Sequence, residues 1–345
     1  ITVGELLSRC GLDADALRSV ILKDHDTRGT VRLRQAIRDT YDERIGFDQI
    51  TAATGAGEAL FILFNLLHEN RNAAVVPRPS FQALYETPRA LGCDLRFYTL
   101  DAASGFLPDP DEICGLIDDR TGTVVINTPH NPSGVFFPED AADRVIQKAA
   151  LHGATVIADE HYRFLPHEGP CPARTLARPD ENVIAVGSIT KCFGVIGLRM
   201  GWIVAPEPLI SRIRDFRDYL THTLSPVSDF LASAALENAP AFIEPNREII
   251  RNNARALHEF AAHTPDVTLT PPQAGVVAFP SYAYSVPSGD FVMELIQKYG
   301  IFVLPGSAFE IDGCFRINLG REPSSFARAL GLLHEYCMEL AAGQK

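Results

Sequence analysis

Between Gln49 and Ile203 short β-rich runs alternate with longer amphipathic stretches in which apolar residues return every three or four positions. The runs, at residues 50–53, 73–76, 94–98, 123–127, 155–158, 183–186 and 201–204, are rich in Val, Ile and Ala. They read as strands. The intervening periodic stretches predict helices at 58–67, 81–91, 110–117 and 138–152, since a repeat near 3.6 residues puts the apolar positions on one side of a helix. Strand and helix in alternation are the sequence form of a parallel sheet with crossover helices.

After Pro206 the pattern lengthens into helical stretches at 209–220 and from 226 to about 262. Short strand-like runs follow at 267–269, 275–280, 301–304 and 314–318, with helices at 289–299 and 324–342. The expected architecture is α/β: a large domain (residues 45–220) with a mostly parallel seven-stranded sheet between helices, and a smaller α+β domain built from residues 1–44 and 221–345. No Gly/Ser-rich or Pro-rich linker separates the two, so they are expected to pack closely.

Composition narrows the function classes. A hydrophobic fraction of 46% with 21% charged residues is that of a folded globular chain. A net charge of −12 disfavours a phosphate backbone or an anionic membrane face as partner. The longest apolar run, 59–67, contains Asn65 and is far shorter than the ~18 residues of a spanning helix. Seven scattered cysteines without a C-x-x-C pair suggest neither a disulfide framework nor a zinc site. Reduced thiols in a cytoplasm, and no metal, are expected.

Several short motifs sit where strands end, at the edge where parallel sheets bind ligands. Lys191 lies in GSITKCFGVIGLRMG (187–201), just after the run that starts at Val183. A deprotonated lysine amine there forms an imine with an aldehyde. Ser188 and Arg199 flank it with a hydroxyl and a permanent cation suited to a phosphate. As a lone residue Lys191 reads equally as a surface turn lysine. Asp159 follows the strand at 155–158 in VIADEHY; a carboxylate there suits a protonated pyridine nitrogen, and a helix cap is its alternative. Tyr162 is placed to donate to a phenolic oxygen, whereas Glu160 and His161 read as solvated loop positions. TPHNPSG (128–134) is turn chemistry that aims Asn131 at the same edge, with Asn131–Pro132 a candidate cis bond. In TGAGEAL (54–60), Gly55, Ala56 and Gly57 open a helix, where free N–H groups cradle phosphate. Phe81 follows the next strand and reads as a ring-stacking or a core aromatic.

Taken in order, these motifs resemble the fold-type I, class I/II aminotransferase family over nearly the whole chain. The resemblance implies pyridoxal 5′-phosphate (PLP) as cofactor, a Schiff base on Lys191 and pairing of Asp159 with the ring nitrogen. It implies hydrogen bonds from Asn131 and Tyr162 to the ring oxygen, stacking by Phe81, and phosphate binding by Gly55, Ala56, Gly57, Ser188 and Arg199. CFRINLG (314–320) resembles the family strand whose arginine holds the substrate α-carboxylate, which implies that role for Arg316, with Arg321 the weaker candidate.

The implied activity is that of an enzyme acting on an L-α-amino acid, and family members are homodimers with shared sites, to which Thr221–Ser225 is the expected contribution. RDYLTHTLSP (217–226), AGVVAFP (274–280) and TVGEL (2–6) resemble, more narrowly, the capreomycidine synthase-like cyclases, which act on hydroxylated arginine by elimination and ring closure. Ser188 stands where the related arginine oxidases carry Asp, which counts against oxidase chemistry. Glu5, Asp24 and Asp26 are the candidates for meeting a guanidinium. The alternatives are an ordinary aminotransferase and a non-catalytic PLP-binding sensor. A nicotinamide oxidoreductase is disfavoured by Leu60, where a dinucleotide fingerprint has Gly or Ala.

Overall fold

The computed structural model of the chain describes residues 1–68 and 71–343. Strands β1 (Ile50–Ala53), β2 (Ala73–Arg78), β3 (Asp94–Thr99), β4 (Thr121–Asn127), β5 (Thr155–Asp159), β6 (Val183–Ser188) and β7 (Gly201–Val204) form one sheet in the order β1-β7-β6-β5-β4-β2-β3. All seven runs read from the sequence are strands. From β3 to β6 neighbouring strands pair in parallel, while β7 is antiparallel to both β6 and β1. The reversal follows from the connection. A parallel return requires a crossover, usually a helix, and between β6 and β7 there is only an irregular loop with one 3₁₀ turn, Ile196–Leu198.

Helices cover both faces of the sheet. Val125, Ile157, Ile184 and Ile203 pack against Ala59, Ile62 and Leu63 of the helix Ala56–Leu67 and Ile210 and Ile213 of the helix Glu207–Arg217. On the other face Val124, Ile126, Val156 and Ala158 meet Ala142, Val145 and Ile146 of the helix Glu139–Leu151. Alternate residues of one strand thus serve opposite layers. Each fully buried branched side chain contributes about 1.5–3 kcal/mol, which holds the carboxyl edges of β4, β5 and β6 in fixed register.

The remaining elements form two small sheets. β8 (Val267–Thr268) pairs with β10 (Ser281–Tyr282), and β9 (Val277–Ala278) and β11 (Leu304–Pro305) flank β12 (Phe315–Asn318). β10 has no counterpart among the expected strands, and the run at 275–280 shortens to β9. The helical stretch expected from 226 to about 262 is two helices, Pro226–Glu237 and Ala239–His263. They part at Asn238, because Pro240 has no N–H to continue the first helix and its ring crowds the preceding turn. The helix expected from Phe81 runs over Ala83–Ala90, which leaves Phe81 in the loop that follows β2.

Candidate active site

A cavity of about 340 Å³ opens at the carboxyl edge of the sheet, where β12 faces the loops that follow β2, β4, β5 and β6. Asp159, Asn127, Asn131, Tyr162, Lys191, Arg199, Arg316, Ala56, Gly57 and Phe81 line it. Motifs spread over most of the chain therefore converge on one space, of a size usual for small-ligand sites.

Its floor comes from the register of β4 and β5, which sets Asn127 beside Asp159. The Asn127 amide donates to Asp159 Oδ2 at 3.0 Å and to its carbonyl at 3.2 Å, while Asn127 Oδ1 accepts from the Asn131 N–H at 2.6 Å. Asn127 thus fixes both the carboxylate and the loop that follows β4, a role that nothing in its position as a strand's last residue signals. The second carboxylate oxygen, Asp159 Oδ1, is buried without a hydrogen-bond partner among the described residues. Burial pushes this carboxyl up to about 7, because taking a charge out of water disfavours the ionised form. An unpaired buried acceptor costs about 1–3 kcal/mol; a cationic N–H donor entering the cavity relieves that cost.

Asn131 follows a loop whose cis peptide is Thr128–Pro129, not Asn131–Pro132. The Asn131 N–H is held by Asn127, and the Gly134 N–H returns to the His130 carbonyl at 2.7 Å; residues 130–134 close as a helical turn with a trans bond. The side-chain oxygen of Asn131 accepts from Arg316 Nη1 at 3.0 Å, which leaves its amide nitrogen as a donor. Tyr162 is buried at 3% exposure, and burial pushes its hydroxyl well above the usual phenolic range, so it remains a donor. Its ring lies against Gly275, where an added Cβ would stand 2.8 Å from Tyr162 Cδ2 and φ is +80°; only glycine fits there.

The cations divide between two ends. Arg199 presses its guanidinium on Gly55, whose φ is +82° and whose hypothetical Cβ would meet Arg199 Nη2 at 2.8 Å. Gly55 precedes the helix Ala56–Leu67, so the positive helix start and a guanidinium share one corner. Ser188 does not reach this space. Its hydroxyl lies 2.6 Å from Thr190 Oγ1 and 2.9 Å from the Met200 carbonyl, and Thr190 is the hydroxyl that lines the cavity. At the other end Arg316, on β12, is held by Asn131 and lies 5.2 Å from the Phe309 ring centre. No carboxylate pairs with it among the described residues. Three cations against one carboxylate suit a ligand set with two anionic ends, in a chain whose net charge is −12.

The polar string after Asp159 is not solvated. Glu160 is buried at 2% exposure, accepting from Thr175 Oγ1 at 2.8 Å and the Leu176 N–H at 2.6 Å and lying 3.4 Å from Arg163 Nε. Arg163 in turn donates to the Thr40 carbonyl at 3.0 Å. A buried charge needs such partners; Arg163 stands three residues on, and Thr175 and Leu176 come from the loop that follows. His161 faces the cavity. Of the candidate guanidinium acids, Glu5 caps the first helix with Thr2, Asp24 accepts from Thr223 Oγ1 at 3.0 Å, and Asp26 pairs with Arg28 at 3.0 Å. None of them lines the cavity, nor does Arg321.

An amine, a buried acid at a sheet edge and an anion corner, on a seven-stranded α/β sheet of this order, define the fold-type I PLP enzymes, and the chain belongs to the aminotransferase class I and II family, whose model matches residues 21–333. Its cofactor is PLP. The chain is 32% identical to capreomycidine synthase of Streptomyces vinaceus over 100% of its own length and 89% of that protein's. The structure of the PLP-dependent cyclase OrfR superposes with a TM-score of 0.88 at 28% identity, covering 98% of this chain and 90% of that one. A PLP-dependent aminotransferase from Streptococcus suis superposes with a TM-score of 0.91 at 25% identity, covering 99% and 91%.

Proposed function

We propose that this enzyme acts on an arginine-derived α-amino acid hydroxylated at Cβ, eliminating the hydroxyl and closing a ring with the guanidine. Substrate minus one water is the product, and no net oxidation or reduction is involved. The observation that carries this reading is the full-length likeness to capreomycidine synthase, beside that to a PLP-dependent cyclase.

In this reading Lys191, whose side chain lines the cavity, would hold the cofactor through its aldehyde. Asp159 Oδ1 accepts from the protonated ring nitrogen, the donor its buried and unpaired state calls for. The Asn131 amide and the Tyr162 hydroxyl donate to the ring oxygen, and Phe81 covers the ring from the loop after β2. The N–H groups of Ala56 and Gly57, with Arg199, hold the phosphate, Gly55 permits the close approach, and Ser188 acts there by positioning Thr190. Bound in this way, PLP supplies an electrophilic carbon for the substrate amine and a ring that takes up negative charge from Cα. Arg316, aimed by Asn131, clamps the α-carboxylate. The freed Lys191 amine takes the Cα proton as general base.

The enzyme is a homodimer with shared sites. Support comes from the exposed apolar residues Ile21, Leu22, Tyr219 and Leu220, with exposures of 68%, 77%, 92% and 46%, gathered where Thr223 bonds Asp24. Thr221 contacts Glu58 in the first turn of the helix beside the anion corner, so residues 221–225 lie at the rim. The seven thiols suit the reducing cytoplasm, and the division into 45–220 and 1–44 with 221–345 follows the large and small sheets.

Incubation with β-hydroxyarginine, followed by mass spectrometry, tests the reaction. A cyclic product lighter by one water, formed without a 2-oxo acid, supports it. Keto acid formed from arginine only when a 2-oxo acid acceptor is present marks an ordinary aminotransferase, a reading that the superposition on the Streptococcus suis aminotransferase favours.

A further inference from the structure

Beside Lys191 lies a second cavity, of about 180 Å³, that shares Lys191, Val276 and Asn318 with the first. One wall is the helix Ala239–His263, through Asn246, Ile249 and Ile250. Another is the loop after Lys191, through Gly194 and Ile196. The two spaces meet where the amine stands. Apart from Lys191, none of the residues assigned to the cofactor lines the second one.

Strand geometry links this space to the carboxylate clamp. Arg316 and Asn318 stand two residues apart on β12, along which buried and more open positions alternate, so their side chains leave the same face of the strand. Both line the first cavity, and Asn318 lines the second as well. An α-carboxylate held on Arg316 therefore sets the rest of a substrate beside the opening between the two. Asn253 lies two turns after Asn246 on the same side of the helix and donates to the carbonyls of Leu319 and Arg321 at 2.7 Å each. It pins the chain just beyond β12 to the helix, which keeps Asn246 and Asn318 on the walls of one small space.

The polar side chains of the second cavity are two amides and the Lys191 amine, and among the described residues no carboxylate lines it. Asn246 Nδ2 donates to the Cys192 carbonyl at 2.8 Å, and its Oδ1 is left without a partner among the described residues. Asn318 Oδ1 accepts from the Gly320 N–H at 2.8 Å and keeps a second lone pair. Both amides thus offer acceptors, between apolar walls of Leu165, Ile196, Ile249 and Ile250. That setting suits a group made only of donors on an apolar stem, and a guanidinium has five N–H donors and no acceptor. We propose that this second cavity is the side-chain subsite, in which Asn246 Oδ1 and Asn318 Oδ1 receive the substrate guanidine beside Lys191. The proposal rests on the reading of the substrate as arginine-derived and deepens it: two amides, rather than Glu5, Asp24 or Asp26, recognise the guanidine.

The test titrates the full-length, PLP-loaded protein with arginine and with norvaline, which is arginine without its guanidine, following the visible absorbance of the cofactor. Wild type is compared with Asn246→Leu, Asn318→Leu and Ile249→Phe. Wild type should bind arginine more tightly than norvaline. The two asparagine variants should each bind arginine roughly two- to tenfold more weakly, the range for one lost hydrogen bond, with norvaline binding unchanged. Ile249→Phe, which fills the space from its wall, should lose the preference for arginine. A preference that survives in all three variants overturns the proposal, as does equal weakening of both ligands, the mark of a merely structural change. Where either result accompanies conversion of β-hydroxyarginine to the cyclic product by wild type, the subsite alone falls. Wild type that neither prefers arginine to norvaline nor forms the cyclic product removes the functional reading together with the subsite.

Discussion

Asn127 Nδ2 lies 3.0 Å from one carboxylate oxygen of Asp159, and the other oxygen of that carboxylate is buried with no partner among the described residues. One amide therefore orients an acid that lines the cavity with its second oxygen unpaired. Preorganised groups of this kind act without reorganisation cost when charge develops.

Replacing Asp159 by Asn keeps the shape and removes the charge that holds the ring nitrogen protonated. Loss of one preorganised electrostatic group costs on the order of 10²–10³ in kcat, and we expect at least ~10² here. Asn127→Ala, which unfastens Asp159 and the loop after β4 but leaves the charge, should cost about fivefold, in line with ~1 kcal/mol for one hydrogen bond. Steady-state kinetics on the two variants checks the order.

The same carboxyl makes a prediction about the cofactor-free protein. Burial raises it from the ordinary aspartate range to about 7. The folded state thus holds a proton that the unfolded state releases, a contribution to stability present below about pH 4 and lost as pH rises through about 7. Asp159→Asn abolishes this dependence. Chemical denaturation of the stripped proteins at roughly pH 5 and pH 8 should show the variant gaining on wild type at the higher pH. An equal difference at both values contradicts the assignment.

Arg316 has a single hydrogen-bonded orienter, Asn131, and no acid partner among the described residues. A lysine at this position keeps the charge but loses the two-pronged geometry that matches a carboxylate. We expect Arg316→Lys to raise KM about 10- to 100-fold, the range for losing a charge-assisted bond of about 1.5–3 kcal/mol. PLP affinity should be unchanged, since Arg316 lies at the other end of the cavity from the anion corner.

Gly55→Ala sets a Cβ 2.8 Å from Arg199 Nη2 on a backbone with φ of +82°. Strain of about 1–3 kcal/mol and a displaced guanidinium should lower PLP affinity tenfold or more. Gly57→Ala is the control, because nothing lies within 4 Å of its hypothetical Cβ. Titration of both stripped variants with PLP compares them.

The sheet was legible because its strands, mostly apolar apart from the edge strand β3, are punctuated by turn residues, and the site because its motifs fall where those runs stop. What could not be read depends on how the folded backbone turns side chains toward or away from one another. Glu160 looks solvated until Arg163, Thr175 and Leu176 close around it. Ser188 and Thr190 are equivalent hydroxyls in sequence, and only the turn of the backbone decides that Thr190 faces the cavity. The break at Asn238 was signalled by Pro240, but the apolar periodicity on either side hid it. β8 to β11, at two residues each, are set by their partners rather than by any pattern of their own.

The central claim is the bond between Lys191 and the cofactor aldehyde, and borohydride reduction of the PLP-loaded protein followed by trypsin digestion tests it most directly. Trypsin does not cut at a modified lysine or at Arg178–Pro179, so the pyridoxyl mass should appear on one peptide, residues 175–199. A label on any other peptide, or none at all, contradicts the account.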